Sequence, residues 1–307
     1  MASGVEDNGT AEDSIHTELK FLVKDPKHEH EKPYHLRYDT GGAIPKTNME
    51  NESRPVEIHN FRPFQDSPSF DEYGFSLMNT GLRFTAADFH NEKKVEELFW
   101  PAIQKLIWKT FPNAAEIKLL EHGLRKRHAN FPDVTEEESS EVTQPATLVH
   151  IDFSYESAVR TAQAAFKMSP VQYRRLVTVK LVTQRDFESS CFETEMYSFW
   201  KSFQGPGNDW PLALCDSRTI DYVAETIAAD VVFYNSFTEN ERVSYSPNHE
   251  WYYFKDLRDD EIIMHRQTDS DIPGGGGVAH SSFFNPKADK DALPRASFEL
   301  RAFVFFT

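Results

Sequence analysis

The chain has very little cysteine: only Cys191 and Cys215 among 307 residues. Two thiols exclude a disulfide framework, and the lack of any CxxC pair excludes a zinc-ribbon module. No apolar run is long enough to span a bilayer. The N-terminal text MASGVEDNGTAEDS is acidic and polar, unlike a secretory signal or a transit peptide. These absences lead us to expect a soluble, cytoplasmic protein. Positive charge is also scarce, with 33 Lys+Arg against 49 Asp+Glu and a net charge of −16. That balance opposes a phosphate backbone and excludes general nucleic-acid binding; its simplest role is solubility. Internal repeats are absent, which excludes a solenoid.

Aromatic residues are plentiful: 25 Phe, 11 Tyr and 5 Trp. Most suit a β-sheet core, and some suit the lining of an apolar small-molecule pocket. The expected organisation is an N-terminal arm over 1–50, with 1–15 disordered, followed by one domain over 51–307. The text over 16–60 reads as an extended arm lying over the core, and His28 and His30 within it as a solvated loop. Val95, Leu98, Phe99, Ile103, Leu106 and Ile107 recur at helical spacing within 86–111, and Pro101 should break or kink that run near Trp100. Residues 132–146 form an acidic loop, suited to capping a site. Helices are expected over 155–168 and 169–176. From Ala146 onward the text turns to strands: ATLVHIDFS, VTVKLVT, CFETEMYSFW, ADVVFYN, HEWYYF, EIIMHRQ, GVAHSSFF and SFELRAFVFF. Such a series after one helical segment predicts a mainly β fold, a double-stranded β-helix of the jelly-roll, cupin-like kind with flanking helices. The PGGGG segment before His280 reads as a flexible loop, near enough to that histidine to belong to a site entrance.

The triplet His150-Ile151-Asp152 closes one of these strands. Residues i and i+2 of a strand point the same way, so His150 and Asp152 share a face and Ile151 packs behind. An iron that activates O2 takes two histidines and one carboxylate on one face and keeps its other positions open. Two histidines compete for the third place: His280 in the penultimate strand, which we favour, and His249 in SPNHEWYYF. His265 and His122 read as structural or surface residues. In the last strand Arg295, Ser297, Glu299 and Arg301 share a face. A polar row facing a barrel interior is costly unless it binds or pairs. Arg295 with Ser297 can grip a carboxylate, and Arg301 is the alternative clamp. Phe153, Tyr155, Trp200, Trp251 and Tyr253 are candidate substrate-lining residues. A metal-dependent isomerase on the same barrel, or a barrel that only binds a metabolite, remain open from these residues alone.

The set HIDFS, WPLALCDSRT, NHEWYYFKDL, AHSSFFNP and PRASFELRAFVF, with DEYGFSL and EHGLRKR earlier, resembles a known family over roughly residues 50–307. It is similar to the fungal and bacterial Fe(II)/2-oxoglutarate-dependent oxygenases of specialised metabolism. These are the AsaB- and CmcJ-like hydroxylases and desaturases, with gibberellin desaturase and novofumigatonin endoperoxide synthase among them. The resemblance implies Fe(II), 2-oxoglutarate and O2 as cofactor and cosubstrates, with succinate and CO2 as coproducts. It implies His150, Asp152 and His280 as metal ligands and Arg295 as the cosubstrate arginine. The substrate it implies is a small, apolar natural-product scaffold, oxidised at an unactivated C–H bond by hydroxylation, desaturation or endoperoxidation. The sequence does not fix the oligomeric state, and a homodimer through the N-terminal arm is one assembly open to it. The sequence departs from the family pattern at Trp200-Lys201-Ser202, where Trp-Arg-Pro is usual, and at Thr268-Asp269-Ser270, where Tyr-Asp-Ser is usual. Neither place touches the expected ligands, so substrate and outcome stay open.

Overall fold

In the computed structural model, the described residues are 14–64, 69–81, 91–134, 143–167, 175–186, 208–292 and 294–307. Cys191, Trp200, the strand expected at 191–200 and the middle of the acidic loop (135–142) lie outside them. The elements are numbered in chain order. One sheet contains nine strands: β1 (Ile15–Leu22), β2 (Tyr34–Leu36), β3 (Asn51–Asn60), β6 (His150–Ile151), β8 (Leu212–Cys215), β9 (Thr226–Val232), β10 (Phe237–Val243), β11 (Trp251–Tyr253) and β13 (His280–Ser282). Their order is β1-β3-β11-β8-β13-β6-β10-β9-β2. The second sheet contains β4 (Phe75–Asn79), β5 (Glu116–Lys126), β7 (Arg175–Asp186), β12 (Glu261–Asp269) and β14 (Arg295–Phe306), in the order β4-β12-β7-β14-β5. Apart from the β9–β10 hairpin, neighbours in space are non-consecutive in sequence, as jelly-roll connections require.

Strand alternation decides what β14 does. Ala296, Phe298, Leu300, Ala302 and Val304 face outward and pack with Val177, Val179 and Leu181 of β7. The helix α2 (Trp100–Thr110) covers that face with Ile103 and Ile107, which are fully buried. Burying such side chains contributes roughly 1.5–3 kcal/mol each and fixes the strand's register. The opposite face, Arg295, Ser297, Glu299 and Arg301, is thereby turned into the barrel. Pro101 sits in the first turn of α2, where no amide hydrogen is needed, and the preceding Val95–Phe99 winds as a π-helical segment. The break expected near Trp100 is therefore a change of helix type. A shorter helix, α1 (Ser69–Tyr73), precedes it in the chain.

Three local features differ from the expectations. The text expected to lie over the core as an arm supplies β1, β2 and β3, with Ile15, Leu19 and Phe21 buried among core residues. Its apolar residues are spaced two apart, which suits a sheet rather than a strap. The helix expected over 169–176 is outside the described residues as far as 174, and Arg175 already begins β7. The PGGGG segment is a built turn: Gly275 and Gly276 are buried, and Gly274, Gly275 and Gly276 have φ of +71°, +79° and +57°. Only glycine adopts three such values in succession without strain.

Gly277 follows, and a Cβ there would stand 2.3 Å from the Gln267 carbonyl oxygen and 2.5 Å from Ile151 Cγ2. Gly277→Ala should therefore cost about 1–3 kcal/mol. It should also disturb Ile151, between His150 and Asp152, so thermal melting and iron titration should both register the change. A variant matching the native protein in both would remove Gly277 from the support of the site.

Candidate metal centre and cosubstrate cleft

His150 on β6 and His280 on β13 are direct partners across an antiparallel pairing. Directly opposed residues project from the same face of a sheet, and the two imidazole centroids are 4.5 Å apart. Asp152 follows the end of β6. Its Oδ1 lies 3.2 Å from His150 Nε2 and 3.7 Å from His280 Nε2. One ligand atom from each of the three residues lies within 4.8 Å of the others, and all three side chains are nearly excluded from solvent.

The proton arrangement explains why this cluster fits a cation. His150 Nδ1 donates to the Leu148 carbonyl at 2.7 Å, and His280 Nδ1 donates to the Val278 carbonyl at 3.0 Å. A neutral imidazole has one N–H. Burial, followed by His280, pushes His150 down to about 4, so its ring is neutral near pH 7. Its Nε2 lone pair therefore faces a carboxylate oxygen. His280 Nε2 is buried without a hydrogen-bond partner among the described residues. Converging acceptors with no donor between them are unfavourable unless a cation joins them. The backbone carbonyls fix both tautomers in the way that outer partners of metal-bound histidines do.

A layer of charged residues holds Asp152. Its Oδ2 accepts from Lys180 Nζ at 2.8 Å and from Arg301 Nη2 at 3.4 Å. Burial acts to raise this carboxyl, but Lys180 and then Arg301 hold it well below the usual carboxylate range. Lys180 also touches Glu299 at 2.9 Å, and Glu299 pairs with Arg125 through Nε at 3.0 Å and Nη2 at 3.2 Å. The Asp152 amide donates to Gln267 Oε1 at 2.9 Å, and Gln267 Nε2 donates to His265 Nδ1 at 2.9 Å. His265 thus stands behind the triad, with its ring 4.6 Å from that of His280.

Arg295 is 2% exposed. Nη1 donates to Ser282 Oγ at 2.7 Å and to the Trp210 carbonyl at 2.8 Å, and Nη2 donates to Ser297 Oγ at 3.2 Å. No carboxylate among the described residues forms an ion pair with this guanidinium, and its Nε has no partner. Burial and then Arg125 push it down only to about 10, so it keeps its charge. A cleft lined by His150, His280, Lys180, Ser282 and Arg295 joins it to the triad. A buried, unneutralised arginine at the end of such a cleft suits the far carboxylate of a dicarboxylate.

These observations place the residues singled out from the sequence. His150, Asp152 and His280 come together; His249 does not. His249 Nε2 instead lies 2.9 Å from Glu225 Oε2, beside Phe21 and Trp251. Arg295, Ser297 and Arg301 all face the interior. Phe153 lines a larger cavity beside the triad. Trp251 and Tyr253 are core residues, and Tyr155 is an exposed residue on α3 (Tyr155–Phe166); none of the three lines that cavity. Lys180, Gln267 and Arg125 were not foreseen. Lys180 had a signal, a single lysine inside the apolar strand VTVKLVT, whereas Gln267 and Arg125 had none.

Glu241 offers a separate test. It pairs with Ile151 across β10 and β6. Burial, followed by Glu156 and Glu239, pushes its carboxyl up to about 7. The folded value lies above the unfolded one, so stability is lost as pH rises from about 4.5 through 7. Glu241→Gln should raise stability at pH 8 by on the order of 1–3 kcal/mol, with a smaller gain at pH 5. Equal melting shifts at both pH values would contradict this.

Residues 19–305 match the family model described as oxidoreductase/YMDC permease-like domain. The chain belongs to this family. Curated proteins similar to this chain include the Fe(II)/2-oxoglutarate-dependent dioxygenase NvfI of Aspergillus novofumigatus. That protein is 25% identical over 296 residues, covering 94% of this chain and 96% of its own. The hydroxylase/desaturase CTB9 of Cercospora beticola is 26% identical over 283 residues, covering 87% and 81%. Among solved structures, the iron and alpha-ketoglutarate-dependent endoperoxidase NvfI superposes with a TM-score of 0.75 at 21% identity, covering 96% of this chain and 98% of that one. The chain therefore has the mainly β, double-stranded β-helix fold expected from the sequence. No helix among the described residues is long and apolar enough to cross a membrane.

Proposed function

We propose that this protein is a non-haem Fe(II)/2-oxoglutarate-dependent oxygenase of specialised metabolism, with His150, Asp152 and His280 as its iron ligands. The carrying observation is the convergence of His150 Nε2, His280 Nε2 and the Asp152 carboxylate within 4.8 Å, with His280 Nε2 buried and unpartnered among the described residues. The relatives named as dioxygenase and hydroxylase/desaturase support the same activity. Arg295 and Ser297 take the far carboxylate of 2-oxoglutarate. Arg301 is already engaged with Asp152 and Glu299, so it supports the triad rather than the cosubstrate. Iron and 2-oxoglutarate together supply the oxidation of an unactivated C–H bond by O2, with succinate and CO2 as coproducts.

The chain's own residues bind, orient and exclude water. Leu148 and Val278 carbonyls keep the imidazole nitrogens aimed at the metal. Lys180 and Arg301 keep Asp152 ionised. The substrate, a small metabolite, lies in the cavity of about 710 Å³ that opens beside His150, Asp152 and Phe153. Met49, Leu148, Val231 and Phe233 give that cavity apolar wall for a natural-product skeleton. Cys215 is buried with a free thiol, which accords with a cytoplasmic location.

Anaerobic titration with Fe(II) and then 2-oxoglutarate tests this reading. A weak absorption band in the green is expected only when both are present. Its absence from folded, iron-loaded protein would favour a non-oxidative enzyme or a binding barrel. Arg295→Ala should raise the 2-oxoglutarate requirement about tenfold or more, from the loss of a charge-assisted pair. An unchanged requirement would move that role to another residue.

A further inference from the structure

We propose that the substrate is an anion, an apolar skeleton bearing a carboxylate that Arg242 and Arg37 hold inside the large cavity. This rests on the oxygenase reading above and adds the class of substrate to it. The chain as a whole carries a charge of −16, yet its largest described cavity is lined by Arg37, Arg125, Arg242 and Arg301 against one carboxylate, Asp152.

Two of those four arginines are already neutralised: Arg125 pairs with Glu299, and Arg301 reaches Asp152 and Glu299. Asp152 is further held by Lys180, so it is not left to balance the others. Arg242 lies directly opposite His150 across β10 and β6, and therefore on the triad's face of the sheet. It is 8% exposed, and its Nε is buried without a partner. Neither Arg242 nor Arg37 forms an ion pair with a described carboxylate. Arg37 follows β2 at the cavity mouth, anchored by its amide to the Val232 carbonyl.

A buried cation left without a counter-charge is costly unless function retains it. Burial and then Arg37 push Arg242 down to about 10, and the same two arginines, after burial, hold nearby His35 down to about 4. The cavity thus carries uncompensated positive potential, which focuses anions. Asn240 and Thr238 stand on the same strand face as Arg242, and Asn240 Oδ1 is also buried without a partner. Val231, Met49 and Phe233 supply apolar wall around this polar end. An amphipathic acid, charged at one end, matches both halves. The polar end lies against the sheet face that carries His150, so the group it holds sets which carbon of the skeleton lies near the metal. Dicarboxylate cosubstrate shares the same chemistry and is the other source of a carboxylate, so the test must separate the two.

The probes are benzoate, 1-naphthoate and abietate, each compared with its methyl ester. They are added anaerobically to full-length protein loaded with Fe(II) and 2-oxoglutarate, and binding is read by calorimetry and by change in the green band. At least one acid should bind about tenfold or more tightly than its ester. Arg242→Met and, separately, Arg37→Met should remove that preference while 2-oxoglutarate half-saturation changes less than about twofold. Arg242→Met should also raise the melting temperature of the ligand-free protein, because a purely structural arginine would lower it. Arg37 is at the exposed mouth, so its variant keeps the test open if Arg242→Met does not fold. Absence of acid binding, equal binding of acids and esters, or a preference that survives both substitutions overturns the proposal. Weakened 2-oxoglutarate binding in either variant also overturns it, since the arginines would then serve the cosubstrate. If the unmodified protein gives no green band, the oxygenase reading itself fails, and this inference falls with it.

Discussion

Replacing His280 or His150 by alanine is expected to lower iron-dependent turnover by far more than about 100-fold, the upper range for losing an outer partner of a metal ligand. Each histidine supplies one of three atoms converging within 4.8 Å, and two remaining ligands cannot hold Fe(II) on one face with the other face open. The fold should survive either change, because among the described residues each imidazole Nδ1 bonds to a local carbonyl two residues away and each Nε2 faces only the triad. His249→Ala is the control. It lies by Glu225, outside the triad, and should keep most of the turnover. Near-native turnover in His280→Ala or His150→Ala would end the facial-triad reading. Asp152→Ala should also lose turnover, but it is a poorer test. The substitution strips the counter-charge from Lys180 and Arg301, so lost stability and lost metal arrive together.

The second large effect belongs to Lys180. This residue is 3% exposed and bridges Asp152 at 2.8 Å and Glu299 at 2.9 Å. Lys180→Met leaves two buried carboxylates with less cation between them. Breaking a buried pair on one side costs roughly 3–5 kcal/mol. The native pair holds both carboxyls well below their usual values. Their contribution is present above the unfolded carboxylate range and is lost as pH falls through the lowered values. Without Lys180 both groups take up protons more readily in the fold. The deficit of the variant should therefore be largest near pH 8 and shrink toward pH 5. Adding Glu299→Gln removes one of the two charges and should restore part of the loss, although it leaves Arg125 short of its partner. Denaturant unfolding of the two single variants and the double measures the coupling. Additive losses, or a deficit independent of pH, would show that the bridge does not act through charge.

Much of this architecture was legible in the chain. Alternation in SFELRAFVFF told which side of β14 faces inward, because a pleated strand has a period of two. The HxD spacing told that the two candidate ligands share a face for the same reason. The family motifs favoured His280 over His249, and the structure pairs His280 with His150 across adjacent strands. Aromatic residues were harder to place. Trp251 and Tyr253 look like pocket linings in HEWYYF, yet they pack among Phe21, Phe283 and Ile58. An aromatic side chain has the same sequence signature in a core and in a pocket wall. The built glycine turn before His280 was also hidden, since consecutive glycines describe freedom rather than the positive φ values that neighbours impose.

The sequence by itself determined the strand and helix periods, the inward face of β14, the candidate ligand types and the acidic balance of the whole. These are properties of local spacing and composition, which the covalent chain carries directly. Only the tertiary structure decided which distant groups meet: Lys180 between Asp152 and Glu299, Gln267 under the Asp152 amide, and Arg242 on the face of His150. It also turned a chain with a net negative charge around a positive cavity. Electrostatic energy depends on separation and burial rather than on order along the chain, so no count of charges along the chain gives the sign inside the cavity.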